Sequence, residues 1–86
     1  MEITAIKIFD AGGKKVKAFA TIVLDNCFVI RDIKVVDGVD RLFVAMPSKR
    51  LKDGSHRDVV HPMTSTMRKT IESSILQAYR EMVNDK

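Results

Sequence analysis

Two neighbouring segments with alternating apolar residues constrain the fold of this chain more than any other feature. One face of residues 15–24 is apolar throughout, with Val16, Ala18, Ala20, Ile22 and Leu24. This alternation is typical of a strand with one buried face. Asp25-Asn26 is a short turn, so residues 27–36 are expected to return as an antiparallel partner. The alternation places Cys27, Val29, Arg31, Ile33 and Val35 on one side of that strand, and Phe28, Ile30, Asp32, Lys34 and Val36 on the other.

The flanking segments extend this pair into a meander. Residues 2–9 predict a first strand, with Thr4, Ile6 and Ile8 on one face and Ile3, Ala5, Lys7 and Phe9 on the other. The apolar run at residues 42–46 predicts a fourth strand. Pro47 ends it because proline has no backbone N–H to donate to a sheet. Four or five short strands joined by tight turns indicate an antiparallel sheet.

The apolar period changes from strand to helix after Pro62. At 100° per residue, one helical face carries Met67, Ile71, Ser74, Ile75, Ala78 and Met82. A helix is therefore predicted over about residues 65–83, with Thr64, Ser65 and Thr66 as candidate N-caps. We predict one α+β domain over residues 1–86, in which this helix packs on a sheet that spans about residues 2–61. Leu76 and Val83 fall outside the apolar stripe and, with the open sheet edges, predict a homodimer.

Composition narrows the class of protein. The formal charge of +4, from 15 Lys and Arg against 11 Asp and Glu, permits binding to nucleic acid but does not require it. The sequence has no apolar run near the length of a membrane span, and MEITAIKIF has neither the basic region nor the cleavage site of a signal peptide. Cys27 is the only cysteine, which excludes an internal disulfide. A cytoplasmic protein without membrane contact is expected.

A basic segment follows the fourth strand and is the candidate functional site. Lys49, Arg50, Lys52 and Arg57 stand there against two aspartates. Asp53-Gly54 is a strong turn signal, and Val59 and Val60 are expected to resume the strand, so the segment is predicted to be the long, flexible tip of a hairpin. Arginine can bond phosphate or guanine through two parallel hydrogen bonds, whereas lysine acts as a point charge. The alternative, a tip that is only solvated, stays open from charge alone.

A family resemblance is carried by the same segment. LFVAMPSKR (residues 42–50), followed by DG, RD and HP at this spacing, closely resembles the SpoVG family (stage V sporulation protein G, septation regulator). MEIT at residues 1–4 and LDN-x-FV-x-x-DIKV-x-DG over residues 24–38 extend the resemblance to most of the chain. It implies a small dimeric bacterial regulator that binds DNA and also RNA, and that acts in septation and sporulation.

The resemblance also implies which residues contact nucleic acid. The SKR signature of the family falls on Ser48, Lys49 and Arg50, and its next basic position on Arg57. Family members commonly have Thr-Pro where this chain has Leu51 and Lys52. The absence of that proline is expected to loosen the tip, while Lys52 adds a charge. A preferred target sequence is therefore not carried over.

Other candidate sites have weaker support. Arg68, Lys69 and Arg80 form a second basic set on the predicted helix. Arg68 and Lys69 lie in its first turns, where cations oppose the helix dipole; a solvated face is the alternative. His56 and His61 have no recognised metal-site spacing, and Cys27 is expected to be a small packing residue. We predict no metal, cofactor, small-molecule substrate or catalytic activity, since no nucleophile or phosphate-loop motif is present.

Two function classes remain at this stage. The first is a nucleic-acid-binding regulator, and the second is a protein-interaction module that regulates cell division without touching nucleic acid. The aromatic residues fall mostly at strand and helix positions: Phe9, Phe19, Phe28, Phe43 and Tyr79. This placement is interpreted as an argument against a surface that stacks unpaired bases.

Overall fold

The computed structural model describes residues 1–84, which contain six strands and one helix. The strands are β1 (Ile3–Asp10), β2 (Val16–Leu24), β3 (Phe28–Asp37), β4 (Leu42–Ala45), β5 (Ser48–Arg50) and β6 (His56–Asp58), and the helix is α1 (Ser65–Asn84). Strands β1 to β4 form one antiparallel sheet in chain order, while β5 and β6 form a separate two-stranded ribbon. The predicted α+β class, an antiparallel sheet with a C-terminal helix, is confirmed.

Helix α1 covers one face of the four-stranded sheet, where it packs mainly against β1 and β4. Its buried residues are Ile71 and Ile75, as the helical period predicts. The core between helix and sheet is aliphatic: Ala18, Ala20, Ile22, Leu24, Ile30, Ile33, Val35, Val44, Met46, Ile71 and Ile75. Thr64 caps α1, because its Oγ1 accepts a hydrogen bond from the backbone N–H of Met67 at 3.1 Å.

A β-bulge in β3 makes the predicted faces of that strand wrong. Ala20 pairs with Ile33 and Ile22 pairs with Ile30, so β3 has one residue more than β2 across this interval. Asp32, within the bulge, has a φ of 61°. An extra residue shifts the period-2 alternation by one position. Ile30 therefore lies on the core face together with Ile33, and not on the opposite face as strict alternation predicts.

Two further bulges move one residue each to an unpredicted face. In β1 the register shifts between Ile3 and Ala5, and Ile3 pairs with Leu24 and packs against the core. In β2 the register shifts between Val16 and Ala18. Val16 pairs with Val36, and neither residue belongs to the core cluster. The remaining β2 residues on the predicted face are buried, as the alternation indicates.

The turn between β2 and β3 needs two residues with positive φ. Asp25 and Asn26 have φ values of 50° and 55°, and the backbone N–H of Cys27 donates to the carbonyl of Leu24 at 3.0 Å across them. Consecutive positive φ values suit a tight hairpin, and Asp and Asn tolerate them better than most residues. Cys27 is exposed in this turn, so its predicted packing role is wrong.

The predicted outer apolar pair on α1 is only half correct. Leu76 is half-buried and packs against the core, whereas Val83 is 46% exposed in the last turn. The buried stripe of α1 is therefore wider than the sequence predicts, and Leu76 no longer supports a second contact surface. Within residues 1–84, no helix is both long enough and apolar enough to cross a membrane.

Replacing Ile75 by Ala tests the anchoring of α1. Ile75 is fully buried between helix and sheet, so its truncation should lower the free energy of unfolding by about 3 kcal/mol. Urea unfolding followed by circular dichroism measures the loss. Val83→Ala in the same helix is the control, and it should change stability by less than about 0.5 kcal/mol. Equal losses in the two variants would contradict this packing.

Candidate nucleic-acid interface

The ribbon of β5 and β6 carries the predicted basic site on its two faces. Its antiparallel register pairs Ser48 with Asp58, Lys49 with Arg57, and Arg50 with His56. Because side chains alternate along a strand, Lys49 and Arg57 share one face, while Arg50 and His56 share the other. Every residue of β5 and β6 is exposed, and the ribbon packs mainly on itself. It therefore presents its cations to solvent.

The end of the ribbon is a short turn instead of the predicted long tip. Residues 51–55 join the strands, and β6 ends at Asp58, so the prediction that Val59 and Val60 resume a strand is wrong. The backbone N–H of Leu51 donates to the carbonyl of Ser55 at 2.7 Å, and Gly54 has the positive φ of 89° that the turn requires. Lys52 lies in this turn and is exposed.

Asp53 closes the turn with its side chain. Its Oδ1 accepts hydrogen bonds from the Ser55 hydroxyl at 2.6 Å and from the Ser55 backbone N–H at 2.9 Å. These bonds favour the charged carboxylate, and the hydroxyl of Ser55 is the main reason that the pKa of Asp53 is lowered. The turn therefore has its own hydrogen-bonded closure without the proline that is common in the resembling family.

Like charges face each other across the ribbon. Lys49 and Arg57 are directly opposite, and like charges in that position destabilise a strand pair. Within the described residues 1–84, neither side chain forms an ion pair or a hydrogen bond. The pair therefore disfavours the isolated ribbon and would be relieved by an anion placed between the two cations.

The second predicted basic set lies on a different element. Arg68 and Lys69 are exposed near the start of α1. Lys69 also lines a shallow groove along the helix together with Glu72, Ser73, Leu76, Gln77 and Arg80. Since α1 packs mainly on β1 and β4, the sheet and not the ribbon positions these cations. The six predicted contact residues are thus divided between ribbon and helix.

The sheet face opposite α1 is a feature that the sequence reasoning missed. Phe9, Phe19 and Phe43 lie on it and are 56%, 39% and 41% exposed. The interpretation that residues at strand positions are not free to stack bases is therefore wrong for these three. We call this surface the open face, and its outward positions are Ala5, Lys7, Phe9, Val16, Lys17, Phe19, Thr21, Val23, Val29, Arg31, Asp32, Lys34, Val36, Phe43 and Ala45. The alternation in β2 places Phe19 away from the core, and this pattern is the sequence signal that indicates its exposure.

An apolar groove lies between the start of α1, the segment that precedes it and the start of β3. It encloses about 520 Å³ and is lined mainly by apolar side chains, among them Met1, Phe28, Met63 and Met67. His61 also lines it, whereas His56 lies in the ribbon. In the described part of the chain, no three His, Cys, Asp or Glu residues come together as a possible metal site.

Comparisons with known proteins agree with the resemblance seen in the sequence. The model of the SpoVG family matches residues 1–81. A protein of Anaeromyxobacter sp. strain K is 51% identical over 79 residues, which cover 92% of this chain and 78% of that protein. A Bdellovibrio bacteriovorus protein is 48% identical over 94% of this chain and 75% of its own length, and one from Acholeplasma laidlawii is 41% identical over 98% and 90%. Each carries the name of a septation protein, SpoVG.

Replacing Ser55 by Ala tests how the turn is closed. The variant lacks the hydroxyl donor, so the pKa of Asp53 should rise toward the ordinary aspartate value. Because the folded-state pKa is lowered, the stabilisation from this carboxylate is complete at neutral pH and is lost as the pH falls through that value. Carbon-detected NMR titration of the Asp53 carboxyl measures the change. Ser48→Ala, elsewhere in the ribbon, should leave it unchanged, and no rise in Ser55→Ala would refute the bond.

Proposed function

This chain belongs to the SpoVG family, and we propose that it is a bacterial regulator of septation or sporulation that binds nucleic acid through its basic ribbon. The observation that carries the proposal is the facing pair of Lys49 and Arg57, which have no partner within residues 1–84. A phosphate between them accepts hydrogen bonds from both side chains and removes their mutual repulsion.

The two faces of the ribbon have different roles in this proposal. Lys49 and Arg57 contact backbone phosphates, and Lys52 adds a contact from the turn. Arg50 lies on the reverse face, where its guanidinium is available to bond a guanine edge through two parallel hydrogen bonds. A two-stranded ribbon is narrow enough to enter the major groove of duplex DNA. Arg68 and Lys69 on α1 then extend the phosphate contacts outside the groove.

We also infer a homodimer in the cytoplasm. Strand β1 is an edge of the sheet and is eight residues long, so one row of its backbone groups has no strand partner in the described chain. Pairing of two such edges about a two-fold axis joins two sheets and presents two ribbons to one ligand. Because the two contacts are then linked, each need be only weak. The relatives are named for septation and not for a reaction, and no catalytic step is part of the proposal.

A protein-interaction module is the second candidate function. The observation in its favour is the apolar groove of about 520 Å³, with Met1, Phe28 and Met63 strongly exposed beside it. Exposed apolar side chains in a groove are suited to a helix or strand of a partner protein. Salt separates the two functions, since contacts to phosphate weaken steeply with rising salt and apolar contacts do not.

Titration onto labelled duplex DNA and duplex RNA at several salt concentrations tests the main proposal. Wild-type binding is expected to weaken as salt rises. Lys49→Ala/Arg57→Ala removes two phosphate contacts, so the slope of log affinity against log salt on DNA should fall by about 2. The variant with Lys49, Arg50, Lys52 and Arg57 all replaced by Ala should lose measurable binding while keeping its circular dichroism spectrum.

A charge-matched control uses the turn between β1 and β2. Lys14→Ala/Lys15→Ala removes the same net charge from exposed positions outside the ribbon and should retain most of the wild-type salt slope. Equal effects of the two double variants would mean that only total charge matters, and the ribbon would not be the site. Salt-independent binding to a protein partner, without any binding to nucleic acid, would favour the second candidate.

The dimer is tested by light scattering on the purified chain. The expected mass is twice the 9.7 kDa of one chain. Ile8→Pro in β1 removes a backbone N–H that faces the open edge, because the hydrogen-bonded pairs with β2 fall at Lys7 and Phe9, and it should shift the mass toward the monomer. Lys14→Pro, outside the strands, is the control. A wild-type mass of one chain would refute the inference.

A further inference from the structure

We propose that the open face of the sheet binds an unpaired nucleic-acid strand, with its bases stacked on Phe9, Phe19 and Phe43. The inference rests on the proposed nucleic-acid function, and it adds a second surface and a preference for single strands. The ribbon contacts phosphates, whereas the open face contacts bases. The two surfaces therefore respond to different parts of the same ligand.

The phenylalanines are arranged as stacking positions. Phe9 and Phe19 are directly opposite each other in the register of β1 and β2, so they occupy neighbouring positions on the open face. Phe43 lies two strands and one row away from Phe19, about 12 Å by ordinary strand spacing and rise. Its ring lies against Gly38, where an added Cβ would come within 3.1 Å of the ring carbons. The face thus offers two separate aromatic positions for successive parts of an extended strand.

The charge of the open face suits a polyanion. Lys7, Lys17 and Lys34 occupy outward positions on three adjacent strands, and the bulge opposite Thr21 adds Arg31 and Asp32, so that cations outnumber anions on this face. Lys34 lies directly beside Phe19 in the same row. Aromatic rings that alternate with cations are the combination that binds single strands, since bases stack while lysines follow the phosphates. A second copy of this chain would instead bring like charges together on this face.

Packing of the core does not account for the exposed positions of these three phenylalanine rings. The core cluster contains no aromatic side chain; it consists of Ala, Val, Ile, Leu and Met. Phenylalanine is among the residues most often buried in proteins, because each ring removes a large apolar area from water. Here three of the four phenylalanines lie on the side of the sheet that α1 leaves uncovered. Their position is explained by a ligand that has flat apolar faces of its own.

The experiment compares oligonucleotides of about 12 nucleotides with and without bases. Fluorescence anisotropy with oligothymidine, oligouridine and an abasic strand of equal length measures the contribution of the bases directly. Wild-type protein should bind the two base-containing strands at least about fivefold more tightly than the abasic strand, as the loss of one stacked base predicts. Equal affinity for all three strands would overturn the inference without any variant.

Two matched double variants locate the contact. Phe9→Leu/Phe19→Leu keeps an apolar surface but removes both rings, and it should weaken oligothymidine binding by about fivefold or more while abasic binding stays unchanged. Phe9→Tyr/Phe19→Tyr keeps the rings and should bind like wild type. If both variants bind like wild type while Lys49→Ala/Arg57→Ala loses binding, the ribbon proposal stands and the open face is not a site. If wild-type protein binds none of the strands or duplexes, both proposals fail.

A mass measurement on the same samples tests whether the open face binds a second copy of the chain instead of nucleic acid. Light scattering of Phe9→Leu/Phe19→Leu should give the wild-type mass, because the open face is not needed for contact between copies. A variant that becomes monomeric, with unchanged oligonucleotide affinity per chain, would assign this face to a second copy and overturn the inference.

Discussion

Burial of one sheet face under a single helix is the interaction on which the rest of this structure depends. Ile22, Ile33 and Ile75 are fully buried where α1 meets the sheet, and no second helix is present in the described residues 1–84. A sheet of four strands has two faces, and one helix covers only one of them. The opposite face is therefore left open, and the ribbon is left without an element to pack on. Both surfaces that we assign to ligand binding follow from this unequal coverage.

The sequence predicts the elements of the fold better than the faces of the strands. The alternation in β2 and the helical period of α1 predict the buried residues correctly, because each element contacts the core along most of its length. The bulges are not predictable from the same pattern, since an inserted residue changes the pairing but not the composition. Asp32 is an ordinary residue in the sequence, and the register of β2 and β3 in the folded chain is what shows that Ile30 and Ile33 share a face.

The candidate site, too, is only partly predictable from the sequence. The cations of the ribbon are visible in the sequence, and so is the Asp53-Gly54 turn. That Lys49 faces Arg57 depends on the strand register, which the length of the turn decides. The exposure of the aromatic residues is not predictable for another reason: a strand position does not show which face of the sheet the helix covers. Phe19 alternates away from the core, but its exposure depends on where α1 packs.

The aliphatic core separates the residues that fold the chain from those that contact its surroundings. Among residues 1–84, no buried side chain is polar or charged, and none of the ribbon cations or open-face phenylalanines belongs to the core cluster. Substitutions at distant, non-contacting positions have nearly independent effects on stability. Descendants of this chain can therefore exchange their recognition residues without approaching the stability threshold that limits most mutational change. Such a scaffold permits divergence of targets within one lineage while the architecture stays the same.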